Sequence, residues 1–266
     1  MSVNYDALML GSNIQLTDKV TIYVPTIEEL VNRRDDGFSL YQRVFAISVR
    51  ELFSGMPEEV DKIEESYPTF WEMAFDKDMG EQVGGNMFQE GASLLELIIR
   101  GLSYWTHISL EDFQILVQSK KIVSEKYDWV VDRSVFDEFC EYVRFLTLYR
   151  PNEDLIAPKG ISSKPHQCKV WAALYKGRVY KLKRQPTATL GDKILILETE
   201  SSGFIPFTEI RKMTYYQFMN LYSSYETKEA NEREFAMFIS SKFDIKDFKL
   251  KDWRDSVSLI KRKTTL

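Results

Sequence analysis

Residues 19–32 read KVTIYVPTIEELVN, and this stretch contains a strand, a break and a helix start. Val20, Ile22 and Val24 alternate with Thr21 and Tyr23, the period of a half-buried strand. Pro25 has no N–H to give to a sheet, so the strand ends there. Thr26 has Glu29 three residues on, the spacing of a capping box. The same device recurs at Thr69 with Glu72 and at Thr214 with Gln217. The expected class is therefore α+β, predominantly α-helical, with a short N-terminal β-hairpin and a small β segment around residues 113–131.

Towards the N-terminus, residues 7–24 are expected to hold two or three short strands, turning at Gly11-Ser12-Asn13 and Thr17-Asp18. Downstream, the helix opened by Thr26 runs to about Arg33 and breaks at Asp35-Asp36-Gly37. Phe38–Phe53 then reads as one helix, with Tyr41, Val44, Phe45, Ser48 and Leu52 on one face. Asp76–Gln89 contains Gly80, Gly84 and Gly85 and reads as a mobile loop. Ala92–Trp105 reads as a core helix, and the runs near Phe113, Lys121 and Trp129 as short strands. Ser134 is the expected N-cap of a helix carrying Phe136, Phe139, Val143 and Leu146.

Pro151–Gln167 is rich in proline and small polar residues and reads as a linker. It divides the chain into an acidic α+β lobe (1–150), a linker (151–168) and a basic helical lobe (169–266). Residues 170–184 fit a helix, although parts of 177–183 also alternate as a strand would. Helices are expected over Leu190–Glu200, from Thr214, and separately from about Thr227. A basic tail, Phe243–Leu266, follows.

The 266 residues are 44% hydrophobic and 28% charged, a globular composition. Net charge is −5, but residues 1–150 balance at −12 and residues 151–266 at +7. The two halves either attract each other within one fold or pair between copies in an assembly. Cys140 and Cys168 are too few and too far apart for a disulfide framework or a zinc site. No signal peptide is expected from MSVNYD at the start, and no apolar run reaches membrane-spanning length.

Nucleotide-binding glycine loops, hydrolase elbows, zinc-protease motifs and calcium loops are all missing from the sequence. His107 and His166 are the only imidazoles, and His166 near Cys168 is the one formal Cys–His pair. No enzyme activity and no cofactor are expected. Lys169–Arg184 interleaves six cations with Trp171, Tyr175 and Tyr180. Single-strand nucleic-acid binders use that pattern, but a pI of about 5.3 and the acidic first half oppose phosphate. The candidate partner-binding residues are Trp171, Tyr175, Lys176 and Lys181, with Tyr215 and Tyr222 on the later helix.

Several stretches resemble proteins of the tail-morphogenesis region of tailed phages and prophages of Gram-positive hosts, encoded near the tape-measure gene. They are Leu16-Thr17-Asp18, Val24-Pro25-Thr26-Ile27-Glu28-Glu29, Phe136-Asp137-Glu138-Phe139 with Tyr142-Val143-Arg144, Ile205-Pro206-Phe207-Thr208-Glu209-Ile210, Met213-Thr214-Tyr215-Tyr216-Gln217-Phe218 and Trp253. The resemblance implies a non-catalytic tail assembly chaperone that holds the tape measure or tail tube protein in the host cytoplasm. A structural virion component, such as a baseplate or head–tail connector subunit, is the alternative it leaves open. The charge split of −12 and +7 also favours head-to-tail self-association along a rod, and no membrane role and no nucleic-acid partner are expected from the composition.

Overall fold

The computed structural model describes residues 3–32, 36–200, 203 and 205–240. Its helices are α1 (Tyr5–Met9), α2 (Ile27–Asn32), α3 (Asp36–Ala46), α4 (Val49–Phe53), α5 (Val60–Ser66), α6 (Phe70–Ala74), α7 (Lys77–Val83), α8 (Leu94–Thr106), α9 (Arg133–Leu146), α10 (Pro165–Arg184), α11 (Leu190–Glu200), α12 (Phe207–Ile210) and α13 (Tyr215–Ile239). Strands β1 (Ile14–Gln15) and β2 (Thr21–Ile22) form an antiparallel hairpin. Strands β3 (Gln114–Leu116), β4 (Lys121–Ser124) and β5 (Trp129–Val131) form an antiparallel sheet in the order β3-β4-β5. The fold is α+β and mainly helical.

Two units emerge. The first takes its described residues from 3–13, 24–32 and 188–240, the second from 14–23 and 36–187. This division is set by who packs with whom, so it does not fall at 151–168.

In the first unit, two capping boxes face each other. The Thr26 N–H donates to Glu29 Oε2 (2.8 Å), and the Thr26 hydroxyl accepts from the Glu29 N–H (3.2 Å). Thr214 and Gln217 repeat the exchange at 2.8 and 3.2 Å. Thr26 and Thr214 form an antiparallel bridge. Pro25 cannot donate, yet its carbonyl accepts from the Tyr215 N–H (2.8 Å). Ile27 N–H reaches Met213 O and Glu28 N–H reaches Arg211 O, both at 2.9 Å. This stitching seats Ile27 in a buried cluster with Leu197, Ile210 and Phe218. Gln217 also donates to Met9 O (2.9 Å), tying α13 to α1.

In the second unit, α3 packs on α8 and α9 and buries Phe45, Leu97, Ile98, Phe136, Phe139 and Val143. Gly101 makes this approach possible: a Cβ there would lie 2.4 Å from the Phe45 ring. His107 closes α8 in the left-handed region (φ 58°) and stacks on Tyr23, with ring centroids 4.3 Å apart. It is a boundary histidine, as its position after an apolar helix implies.

The structure departs from several expectations. Residues 7–9 belong to α1, because Asn4 accepts from the Ala7 N–H and starts a helix. Phe38–Phe53 is two helices: Ser48 breaks the run and opens α4 through a capping box with Glu51. Residues 77–88 are α7 and one π turn rather than a mobile loop. Gly84 serves close approach, since a Cβ there would meet the Ala92 carbonyl at 2.4 Å. Asp132, not Ser134, caps α9. Beyond Thr214 one continuous helix runs to Ile239 instead of two. Of the break expected at Asp35-Asp36-Gly37, Asp36 and Gly37 belong to α3, while residue 35 and the basic tail lie outside the described residues.

Residues 156–163 are held by Arg50, which is 6% exposed. Its Nη1 donates to Ala157 O (3.0 Å) and Pro158 O (3.1 Å). Its Nε and Nη2 donate to Glu64 Oε2 (2.8 and 2.5 Å), and Nη2 also to Asp61 Oδ1 (2.5 Å). Asp61 in turn accepts from the Gly160 N–H (3.1 Å) and the Ser162 N–H (2.8 Å). Ala157 and Ile161 are buried, so the segment is packed structure rather than free linker.

Candidate protein-interaction surface on α10

α10 starts with Pro165 at its first turn, where a missing N–H costs nothing. Its inward face is Cys168, Trp171, Tyr175 and Arg178, spaced as a helix stripe. The Trp171 indole N–H donates to Ser54 O (2.8 Å). The Tyr175 ring packs on Gly55, where a Cβ would come within 3.1 Å of it. The Arg178 guanidinium lies 5.5 Å from the Trp171 ring centroid and donates to Asp154 O (2.5 Å).

The exposed side chains of α10 lie elsewhere around the helix and beyond its packed turns. Val170 and Leu174 are each 48% exposed, Tyr180 58% and Leu182 40%. Lys169, Lys176, Lys181, Lys183 and Arg184 are all exposed around them. No acidic residue occurs between 165 and 184. Arg184 sits over the Tyr180 ring at 4.3 Å, which holds that ring in place at the surface. Space beside Gly177 is open. Val170 and Leu174, one turn apart on the same side of α10 and set among cations, can take an amphipathic helix with acidic edges.

The residues singled out from sequence fall into three groups. Lys176 and Lys181 are on the exposed face of α10. Trp171 is buried and Tyr175 half-buried against 54–55, so both rings anchor the helix. Tyr215 and Tyr222 belong to the first unit: Tyr215 is half-buried, and Tyr222 is buried and stacked on Phe218. Burial raises the hydroxyl pKa of Tyr215, and burial followed by a hydrogen bond to Glu226 raises that of Tyr222 to about 12. Sequence reasoning missed the exposed Val170, Leu174 and Leu182. Each is an ordinary core-type residue, and only the tertiary contacts of α10 reveal which side faces out.

Candidate chemistry elsewhere is bound up in structure. The Cys168 sulfur faces the Ile161 and Pro57 carbonyls at 3.1 and 3.6 Å, while His166, two residues away on the same helix, points to the other side and is exposed. Burial pushes the Cys140 thiol well above its ordinary value, which keeps it protonated. A cleft of about 530 Å³ holds Glu72, Arg133 and Asp137. There Arg133 bridges Glu72 (2.8 Å) and Asp137 (3.6 Å), and Glu72 also caps α6. Among the described residues no group of three His, Cys, Asp or Glu side chains is placed to hold a metal ion. No described helix is long and apolar enough to cross a membrane.

Residues 181–258 match the family model described as YomV second domain. The matched span begins in the last turn of α10 and takes in α11, α12 and α13. No curated protein matches the chain, and no solved structure does. The family match suggests a phage-derived, Bacillus prophage-like protein that is similar, over residues 181–258, to the second domain of YomV.

Proposed function

We propose that the protein is a non-catalytic tail assembly chaperone or tail-morphogenesis factor of a phage, acting by protein–protein contact with a tape measure or tail tube protein. One observation carries the reading: α10 leaves Val170, Leu174, Tyr180 and Leu182 exposed to solvent among five exposed cations and no anion. Val170 and Leu174, four residues apart, share one side of the helix, and exposed apolar side chains so placed mark a contact site. The cationic rim selects a partner helix with acidic edges. The match of residues 181–258 to a YomV domain supports the phage setting. The test is co-expression with tape measure and tail tube proteins, followed by pull-down. Recovery of one of them, reduced by Leu174→Ser with Tyr180→Ser, supports the reading. Failure to recover either protein overturns it.

A further inference from the structure

We propose that β3 is a dimerisation edge: it pairs antiparallel, about a two-fold axis, with β3 of a second copy of this chain. Two three-stranded sheets then become one continuous sheet. The inference goes beyond the proposed function and is independent of α10.

The order β3-β4-β5 leaves β3 with no strand on its outer side among the described residues. An edge strand of this kind turns a row of N–H and C=O groups to solvent. The other edge, β5, packs on α9 and buries Trp129 and Val131. Every residue of β3 is exposed. Edges are usually guarded by a charge, a proline or a bulge. Residues 113–119 read FQILVQS, with no charged residue, no proline and no glycine. Ile115, Leu116 and Val117 are 42%, 46% and 63% exposed. An exposed, uncharged edge rich in strand-forming residues is a template for another strand.

The two ends of β3 point to a second copy as that strand. Glu111 precedes the uncharged run and Lys120 follows it, and both are exposed. Asp112 is already engaged by Lys126 (2.9 Å), so contact at that end falls to Glu111. Antiparallel pairing centred on Ile115 sets the start of each strand beside the end of the other. Glu111 of each copy then lies near Lys120 of its mate, and the two-fold axis makes this contact twice. Parallel pairing would set like charges together and is disfavoured. At the axis Ile115 meets Ile115 of the second copy. Within each chain Ile115 lies opposite Ile122, and Ile122 opposite Val131, both of which are buried. Pairing therefore joins two apolar rows on the inner face of the sheet. The same patch is used by both copies, so the contact closes as a dimer and does not propagate. An interface of three paired residues a side is small, which implies a weak dissociation constant of about 10–500 μM.

The experiment is sedimentation of the full chain from about 5 μM to about 1 mM, with amide exchange followed at residues 114–116. Wild type should pass from monomer to dimer and no further, less readily in high salt, and exchange at 114–116 should slow as the dimer fills. Glu111→Lys alone and Lys120→Glu alone each set like charges together at both ends of the ladder. Each should raise the dissociation constant about tenfold or more. An equimolar mixture of the two should recover the dimer, because one variant then carries cations at both ends of β3 and the other anions. Both side chains are exposed, so neither change should move the urea midpoint. Ile115→Lys, which sets two ammonium groups together at the axis, should hold the chain monomeric. A wild type still monomeric at about 1 mM, single reversals that dimerise as wild type does, a mixture that stays monomeric, or assembly beyond the dimer overturns the proposal.

Discussion

Replacing Arg50 by methionine keeps most of the side-chain volume and removes the guanidinium. Five hydrogen bonds go with it, two to Glu64, one to Asp61 and two to the carbonyls of Ala157 and Pro158. Removing one partner of a buried ionic cluster costs about 3–5 kcal/mol. Asp61 and Glu64 keep 23% and 32% of their side chains exposed, so water recovers part of that loss. The expected destabilisation is about 2–4 kcal/mol, a large share of the roughly 5–15 kcal/mol that holds a domain folded. With a urea slope of about 2 kcal/mol/M, the midpoint should fall by about 1–2 M, read by tryptophan fluorescence. Cleavage within residues 156–163 by a dilute protease should accelerate in native buffer, since the segment loses its donors. A midpoint shift below about 0.3 M with unchanged cleavage would refute the view that Arg50 fixes this segment.

Partial burial works to raise the Asp61 pKa, but hydrogen bonds from Arg50, the Ser162 and Gly160 backbone and the Ser162 hydroxyl outweigh it and hold it at about 2. Being below the unfolded value of 3.8, it contributes stability that is complete above pH 3.8 and is lost as pH falls through 2, so the advantage of wild type over Asp61→Asn, roughly 1–2 kcal/mol after solvent screening, should shrink across that window in acid titrations followed by circular dichroism. Gly101→Ala should destabilise by about 1–3 kcal/mol because its Cβ meets Phe45, whereas Gly177→Ala, in open space on a helix, should stabilise by about 0.5–1 kcal/mol; thermal unfolding of both variants tests this, and equal effects would contradict it. Trp171→Phe should cost about 1 kcal/mol of stability through the lost bond to Ser54 O, with partner binding unchanged when assayed at a temperature where both chains are folded. Ile27→Ala should cost about 2–4 kcal/mol and expose the cluster around Phe218 to a hydrophobic dye.

Local chemistry was legible wherever two or three neighbours decide the outcome. The capping boxes at Thr26, Thr69 and Thr214 all form as their spacing implies. The alternation near residues 113–131 gives the three strands. The Ser48 box was also written in the sequence, but a continuous apolar pattern across it hid the break. What sequence could not show was set by distant residues. The glycines at 84 and 101 read as flexibility until the backbone and ring beside them were seen. Pro151–Gln167 has the composition of a linker, and only Arg50 and Asp61, about a hundred residues earlier, make it structure. On α10, Trp171 looked like a surface aromatic because its inward partner, the Ser54 carbonyl, carries no signature.

The bridge between Thr26 and Thr214 joins the opening of the chain to its last quarter. During synthesis residues 24–32 leave the ribosome early, but Ile27 has no cluster to enter until Ile210 and Phe218 have followed. The first unit therefore closes only after residues 210–218 have been made. Until then a short apolar segment with free backbone donors waits in the open, and a chain truncated before residue 210 never covers it. Synthesis through the start of α13 is thereby built into the fold as a checkpoint.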